Sequence, residues 1–149
     1  MKKLIIAVFI TIAIAGSAFA KPENVVNYRV LNHFNANFSE AENVNWSVAP
    51  KFVKASFELD GKKMEAFYNS DGELIGTSTA FAYNKLPKKS IKEISKKYPF
   101  PPYKLKECIE FTNGEGEKSY FISFDTENEN VIIQINSFGN ISEMKKTAK

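Results

Sequence analysis

Five consecutive residues, Asn69-Ser70-Asp71-Gly72-Glu73, offer an amide, a hydroxyl and two carboxylates. Oxygen ligands in so short a stretch are what a calcium loop supplies. An EF-hand loop also needs an acid at its first position and a bidentate Glu at its twelfth. Here those positions hold Phe67 and Ser78. The same five residues are turn formers, because Asn and Asp bond their own backbone and Gly accepts positive φ. Leu74 and Ile75 resume an apolar pattern directly afterwards, so the stretch is expected to be a turn between strands, with no metal. A second chemistry would pair the single Cys108 with the single His33 as nucleophile and base. Composition alone joins them, and His33 falls in a predicted helix as a partly exposed residue. HExxH, GxSxG, a glycine-rich phosphate loop and Cys/His metal spacing are all missing. The expectation is a chain that is not an enzyme and holds no cofactor.

The elements that would position such groups begin after residue 20. Lys2 and Lys3 precede an apolar run, Leu4 to Ala15, and Ala18 and Ala20 occupy A-x-A positions. This reads as a secretory signal peptide over 1–20, cleaved after Ala20. A membrane span would need roughly 20 apolar residues. The product is expected to be periplasmic or secreted, without membrane insertion after cleavage. Without Lys2 and Lys3, 18 basic residues face 17 acidic ones. So balanced a charge implies no nucleic-acid partner and no anionic membrane. One cysteine excludes an internal disulfide, so packing must hold residues 21–149 together.

Val26, Val30 and Phe34 recur at four-residue spacing and predict a helix over 24–37. A second helix begins near Pro87, carries Ile91, Ile94 and Tyr98, and stops at Pro99. Lys88, Lys89, Lys92, Lys96 and Lys97 cover the rest of it. They are either a docking surface for an acidic partner or a solvated face, and the second is the simpler reading. Residues 52–59 alternate, and Asp60-Gly61 is a strong signal for a two-residue hairpin. That turn sets Phe57 opposite Met64, Ala55 opposite Ala66 and Val53 opposite Tyr68, all apolar on one face. Trp46, in an alternating Val44-x-Trp46-x-Val48 run, is expected in the core.

A shift of 67 residues superposes two parts of the chain. Ser56-Phe57 falls on Ser123-Phe124, and Asn69, Ser70 and Gly72 fall on Asn136, Ser137 and Gly139. Asp71 falls on Phe138, so the turn is kept and the carboxylate is not. The chain reads as α+β, a tandem repeat of a helix plus about four antiparallel strands. Repeat unit 1 spans about 21–83 and repeat unit 2 about 84–145. Together they predict one continuous sheet of about eight strands with two helices on one face.

The order of these blocks also carries a resemblance. Phe38, Ala41, Val44 and Trp46 form an F-x-x-A-x-x-V-x-W block. "ASFELDGKKMEAFYNSDGELIGT", "LPKKSIKEISKKY" and a closing "NSFGNI" follow. The chain resembles the PepSY-like, BLIP-like (β-lactamase-inhibitor-protein-like) family of periplasmic proteins. That resemblance implies tandem helix-plus-sheet units with helices on the convex side of the sheet. It also implies protein binding: a relative in fold inhibits β-lactamases through a concave sheet, and PepSY modules act as inhibitory propeptides of proteases.

If both helices cover one face, the other should be open and carry Phe52, Lys54, Ser56, Glu58, Lys63, Glu65 and Phe67. From the second repeat it should carry Phe121, Ser123, Ile132 and Gln134. Strict alternation adds Lys106, Cys108 and Glu110. Large apolar side chains on such a face mark an interaction surface. The candidate binding residues are Phe52, Lys54, Glu65, Phe67, Phe121 and Ile132. The expected function is an exported, non-enzymatic module binding a protein or peptide of the cell envelope. The alternative is a small-molecule carrier with a pocket between helix and sheet.

Overall fold

The structure is a computed structural model that describes residues 26–149. The expected leader over 1–20 and the first residues of the first predicted helix lie outside the described residues. Helix α1 spans Tyr28–Asn37 and helix α2 spans Lys88–Lys97. The strands are β1 (Glu42–Ala49), β2 (Phe52–Leu59), β3 (Lys62–Tyr68), β4 (Leu74–Ala80), β5 (Lys104–Asn113), β6 (Lys118–Asp125), β7 (Glu129–Ile135) and β8 (Ile141–Ala148). They hydrogen-bond in chain order, β1 to β8, in one open antiparallel sheet. This is an α+β fold. No helix of the described residues is long and apolar enough to cross a membrane.

The helices start and stop where local chemistry dictates. The Asn27 side chain accepts from the Arg29 N–H at 2.9 Å, an N-cap at the start of α1. Pro87 stands immediately before α2, where its missing N–H costs nothing. Tyr98 closes α2 by donating its N–H to the Ile94 carbonyl at 2.7 Å, and Pro99 prevents continuation.

The β2–β3 hairpin pairs as its sequence predicts: Phe57 with Met64, Ala55 with Ala66, Val53 with Tyr68, Glu58 with Lys63 and Lys54 with Phe67. Asp60 and Gly61 both have positive φ, 52° and 69°, as a two-residue hairpin turn requires. A one-residue slip would exchange the faces of every side chain in it.

Two compact units can be distinguished. The first runs to Ala80 and takes in Phe111–Glu117. The second comprises Phe81–Glu110 and Lys118–Lys149. In the first, Val30 and Phe34 of α1 pack on Val53, Ala55, Phe57, Ala66 and Tyr68. The Phe34 ring meets Trp46 at 5.0 Å and Phe57 at 5.0 Å, both edge to face, which places Trp46 against the core. In the second, Leu86, Ile94 and Tyr98 pack on Ile122, Phe124, Val131, Ile133 and Ile135. The Tyr98 ring stacks on Phe124 at 5.3 Å and 14°.

One assignment of face is corrected. Cys108 belongs to the α2-side core with Leu86 and Ile94, not to the opposite face. Alternation groups Leu105, Ile109 and Phe111 on one face and Lys106, Cys108 and Glu110 on the other, but it does not say which set faces the helices, so Lys106 and Glu110 are reassigned with Cys108. Bulk decides it. Phe111 turns toward Phe67, away from α1, and leaves the smaller thiol to pack under α2. Burial, with a smaller contribution from the charge of Glu107, pushes the Cys108 thiol up to about 11. It is protonated and inert at neutral pH.

Candidate binding face

In the first unit, β2 and β3 send Phe52, Lys54, Glu65 and Phe67 to the face opposite α1. Phe67 is the middle of a row, with ring centroids 6.4 Å from Phe52 and 6.4 Å from Phe111. Beside the row, Lys54 Nζ contacts Glu65 Oε1 at 2.8 Å, and the pair is partly buried. Ser78 Oγ donates to Glu65 Oε2 at 3.3 Å, so both carboxylate oxygens are engaged. Partial burial with an added hydroxyl donor makes this pair stiffer than a surface ion pair. In the second unit, Phe121 stands opposite Gln134, and Ser123 opposite Ile132, across β6 and β7.

The expectation that the apolar members of this face stand open to solvent does not hold in this structure. Phe52 is 4% exposed, Phe67 2%, Phe121 1% and Ile132 8%. None belongs to either helix-side cluster. Part of the reason lies in the strands: Phe52, Phe67 and Phe111 shield one another, and Gly76 lets the Phe111 ring lie close to the sheet. Phe52, Phe67, Phe111 and Phe121 also interact beyond these pairs.

Three members of the two faces were not anticipated. Phe111 and Ser78 complete the first unit's row and ion pair, and Ile109 follows Phe111 by alternation along β5. The available signal for Phe111 was its two-residue spacing from Ile109, which puts two bulky residues on one face of β5.

The stretch at Asn69 is a turn built by its own side chains. Asn69 Oδ1 accepts from the N–H groups of Asp71 (3.0 Å) and Glu73 (2.9 Å), and its Nδ2 donates to Glu73 Oε2 at 2.9 Å. Asn136 Oδ1 accepts from Phe138 and Asn140 in the same way, both at 3.0 Å. A third copy went unnoticed in the sequence: Asn113 Oδ1 accepts from Glu115 (3.0 Å) and Glu117 (2.8 Å). Each has Gly at the fourth position with positive φ, and Asn-x-x-Gly was the legible signature.

His33 is held by Tyr68, with Nδ1 and Oη 3.2 Å apart and the rings edge to face at 5.5 Å. Burial pushes the Tyr68 hydroxyl up to about 12. Among the described residues no group of three or more His, Cys, Asp or Glu is placed to hold a metal ion.

No protein-family model matches the chain, and no curated protein matches it. Solved structures do. A protein of Bacteroides eggerthii that is predicted to be periplasmic superposes with a TM-score of 0.69 at 12% identity, over 84% of this chain and 90% of its own. A DUF2874 family protein from Bacteroides uniformis gives 0.69 at 10%, over 83% and 90%. A BLIP-like protein from Bacteroides fragilis gives 0.65 at 12%, over 88% and 89%. At such identities the likeness is one of fold, and this chain shares the fold of those proteins.

Proposed function

We propose that the protein is an exported, non-enzymatic binding module that takes a protein or peptide of the cell envelope on the sheet face opposite its helices. The observation that carries this reading is the row Phe52–Phe67–Phe111 beside the Lys54–Glu65 pair. Packing a helix on a sheet needs one apolar face per unit, and the helix-side clusters already supply it. The second apolar set lies outside both of those clusters and is itself largely covered, so a partner would meet it by way of the Lys54–Glu65 pair at its edge. Aromatics framed by a charged pair have the composition of an interface centre with its polar rim. The sequence of residues 1–20 supports export, and so does a fold neighbour predicted to be periplasmic. The BLIP-like neighbour supports a binding role over a catalytic one. A carrier has less to rest on, because rings such as Tyr98, Phe124, Phe34 and Phe57 fill the space between each helix and its strands.

The test is affinity capture from an envelope extract with wild type and two variants. Phe67→Ser costs stability as well as binding, since the ring is buried, and large-to-small core changes cost about 3 to 5 kcal/mol. The charge exchange Lys54→Glu with Glu65→Lys keeps an ion pair and inverts the pattern shown to a partner. It is expected to keep the melting temperature within a few degrees and to abolish capture. Capture by the exchanged variant at wild-type level removes this face from the function.

A further inference from the structure

The charge of the chain is nearly balanced in sum but not in distribution. Between residues 85 and 106 stand eight lysines and one glutamate. Within α2, Ser90 and Ile94 are buried, while Lys88, Lys89, Lys92, Lys96 and Lys97 are all exposed. Among the described residues, none of these five pairs with a carboxylate. Two exposed phenylalanines stand at the ends of the same helix. Phe100 is 77% exposed, in the run Pro99-Phe100-Pro101-Pro102 that follows the C-terminal end. Phe138 is 86% exposed, at the tip of the Asn136 turn. That turn abuts the N-terminal end, since a β-carbon on Gly139 would lie 3.7 Å from Ser90 Oγ. All of this belongs to the second unit.

We propose that this basic helix face, with Phe100 and Phe138 as its two anchors, docks the protein on an anionic lipid surface. The lysines would meet lipid phosphates, and the two rings would enter the boundary between headgroups and acyl chains. Three features favour lipid over an acidic protein. Isolated apolar anchors on separate loops suit a fluid surface, whereas a protein interface clusters its aromatics at a packed centre. The basic residues are all Lys, and Arg29 is the chain's only arginine. Planar carboxylate recognition favours Arg, while Lys serves phosphates as a point charge. Finally, lysine stems can lie along the interface with their ammonium groups in water.

The experiment is co-sedimentation of the protein with vesicles of phosphatidylcholine alone, or with roughly one-third phosphatidylglycerol. Residues 1–25 are the same in every variant, so differences between variants read this face alone. Wild type is expected to bind the anionic vesicles far better than the neutral ones, and to lose that preference in salt on the order of 0.5 M. Lys88→Gln with Lys92→Gln and Lys96→Gln should weaken anionic binding on the order of 100-fold, about fivefold for each lysine. Phe100→Ser with Phe138→Ser should weaken it about tenfold while keeping the salt dependence. All five positions are exposed, so the fold is kept, and circular dichroism verifies that. Equal binding to both vesicles overturns the proposal, and so does anionic binding unchanged by the lysine substitutions. A salt-sensitive self-association or acidic-protein complex that the lysine substitutions abolish, without vesicle binding, also overturns it.

Discussion

The ring of Phe111 lies over Gly76, and nothing larger than hydrogen fits between them. A β-carbon at position 76 would stand 2.5 Å from Phe111 Cζ and 2.5 Å from the Thr112 carbonyl oxygen. Gly76 also stands opposite Phe67 across β3 and β4. The one glycine in β4 thus makes room for the aromatic row on the face opposite α1.

Gly76→Ala is therefore expected to cost about 2 to 3 kcal/mol, the usual scale of overpacking. The Thr112 carbonyl is backbone and cannot rotate aside. Combining it with Phe111→Ala should cost less than the two single changes together, because the double variant relieves the ring clash. Urea unfolding of the four proteins checks this. Additive losses would place the ring elsewhere.

The Asn69 and Asp71 side chains should separate cleanly by mutation. Asn69 is bonded to two N–H groups of its turn, so Asn69→Ala should cost about 1 kcal/mol, as loss of a capping side chain does. Asp71 is exposed, so Asp71→Ala should stay within about 0.5 kcal/mol. Asn113→Ala and Asn136→Ala should resemble Asn69→Ala. A calcium-dependent rise in melting temperature lost with Asp71→Ala would reverse this account of the turn.

Stability should fall in alkali. Tyr68 is raised from an ordinary 10.0 to about 12, and Cys108 from 9.0 to about 11, in both cases chiefly by burial. Tyr98 and Tyr120 are raised as well, again chiefly by burial. These groups are neutral when protonated, and the folded chain keeps the proton to higher pH than the unfolded chain. Their contribution is complete below about pH 9 and is lost as pH climbs from 9 to 12. A two-unit shift at Tyr68 corresponds to about 3 kcal/mol. Urea midpoints should be flat from pH 7 to 9 and then fall, less steeply in Tyr68→Phe. A midpoint that rises above pH 9 contradicts the burial of these groups.

What could be read in advance follows from which residues obey a period. The β2–β3 hairpin was legible in full because Asp60-Gly61 fixes one register and the apolar set Val53, Ala55, Phe57 confirms it. The α2 stripe was legible because Pro87 and Pro99 bracket it. β5 was legible in its alternation but not in its facing, since apolar residues stand in both sets (Cys108 in one, Ile109 and Phe111 in the other) and the choice is made by contact with Phe67 and Gly76 from distant positions in sequence. The candidate face was legible in its members but not in their burial, because the ring contacts that cover Phe67 come partly from Phe111. The Lys88–Lys97 face was legible as charge. The place of Phe138 near the start of α2 was not legible, because it depends on the Asn136 turn lying beside Ser90.

The central claim, that a partner binds the sheet face opposite the helices, is tested most directly by site-specific photo-crosslinking in cells. A benzophenone side chain is placed at Ser56 in the first unit, at Gln134 in the second, and at the exposed Asn35 on α1 as the contrast. The account predicts discrete protein adducts from Ser56 and Gln134 and none from Asn35. Adducts from Asn35 with none from the two sheet positions would contradict it.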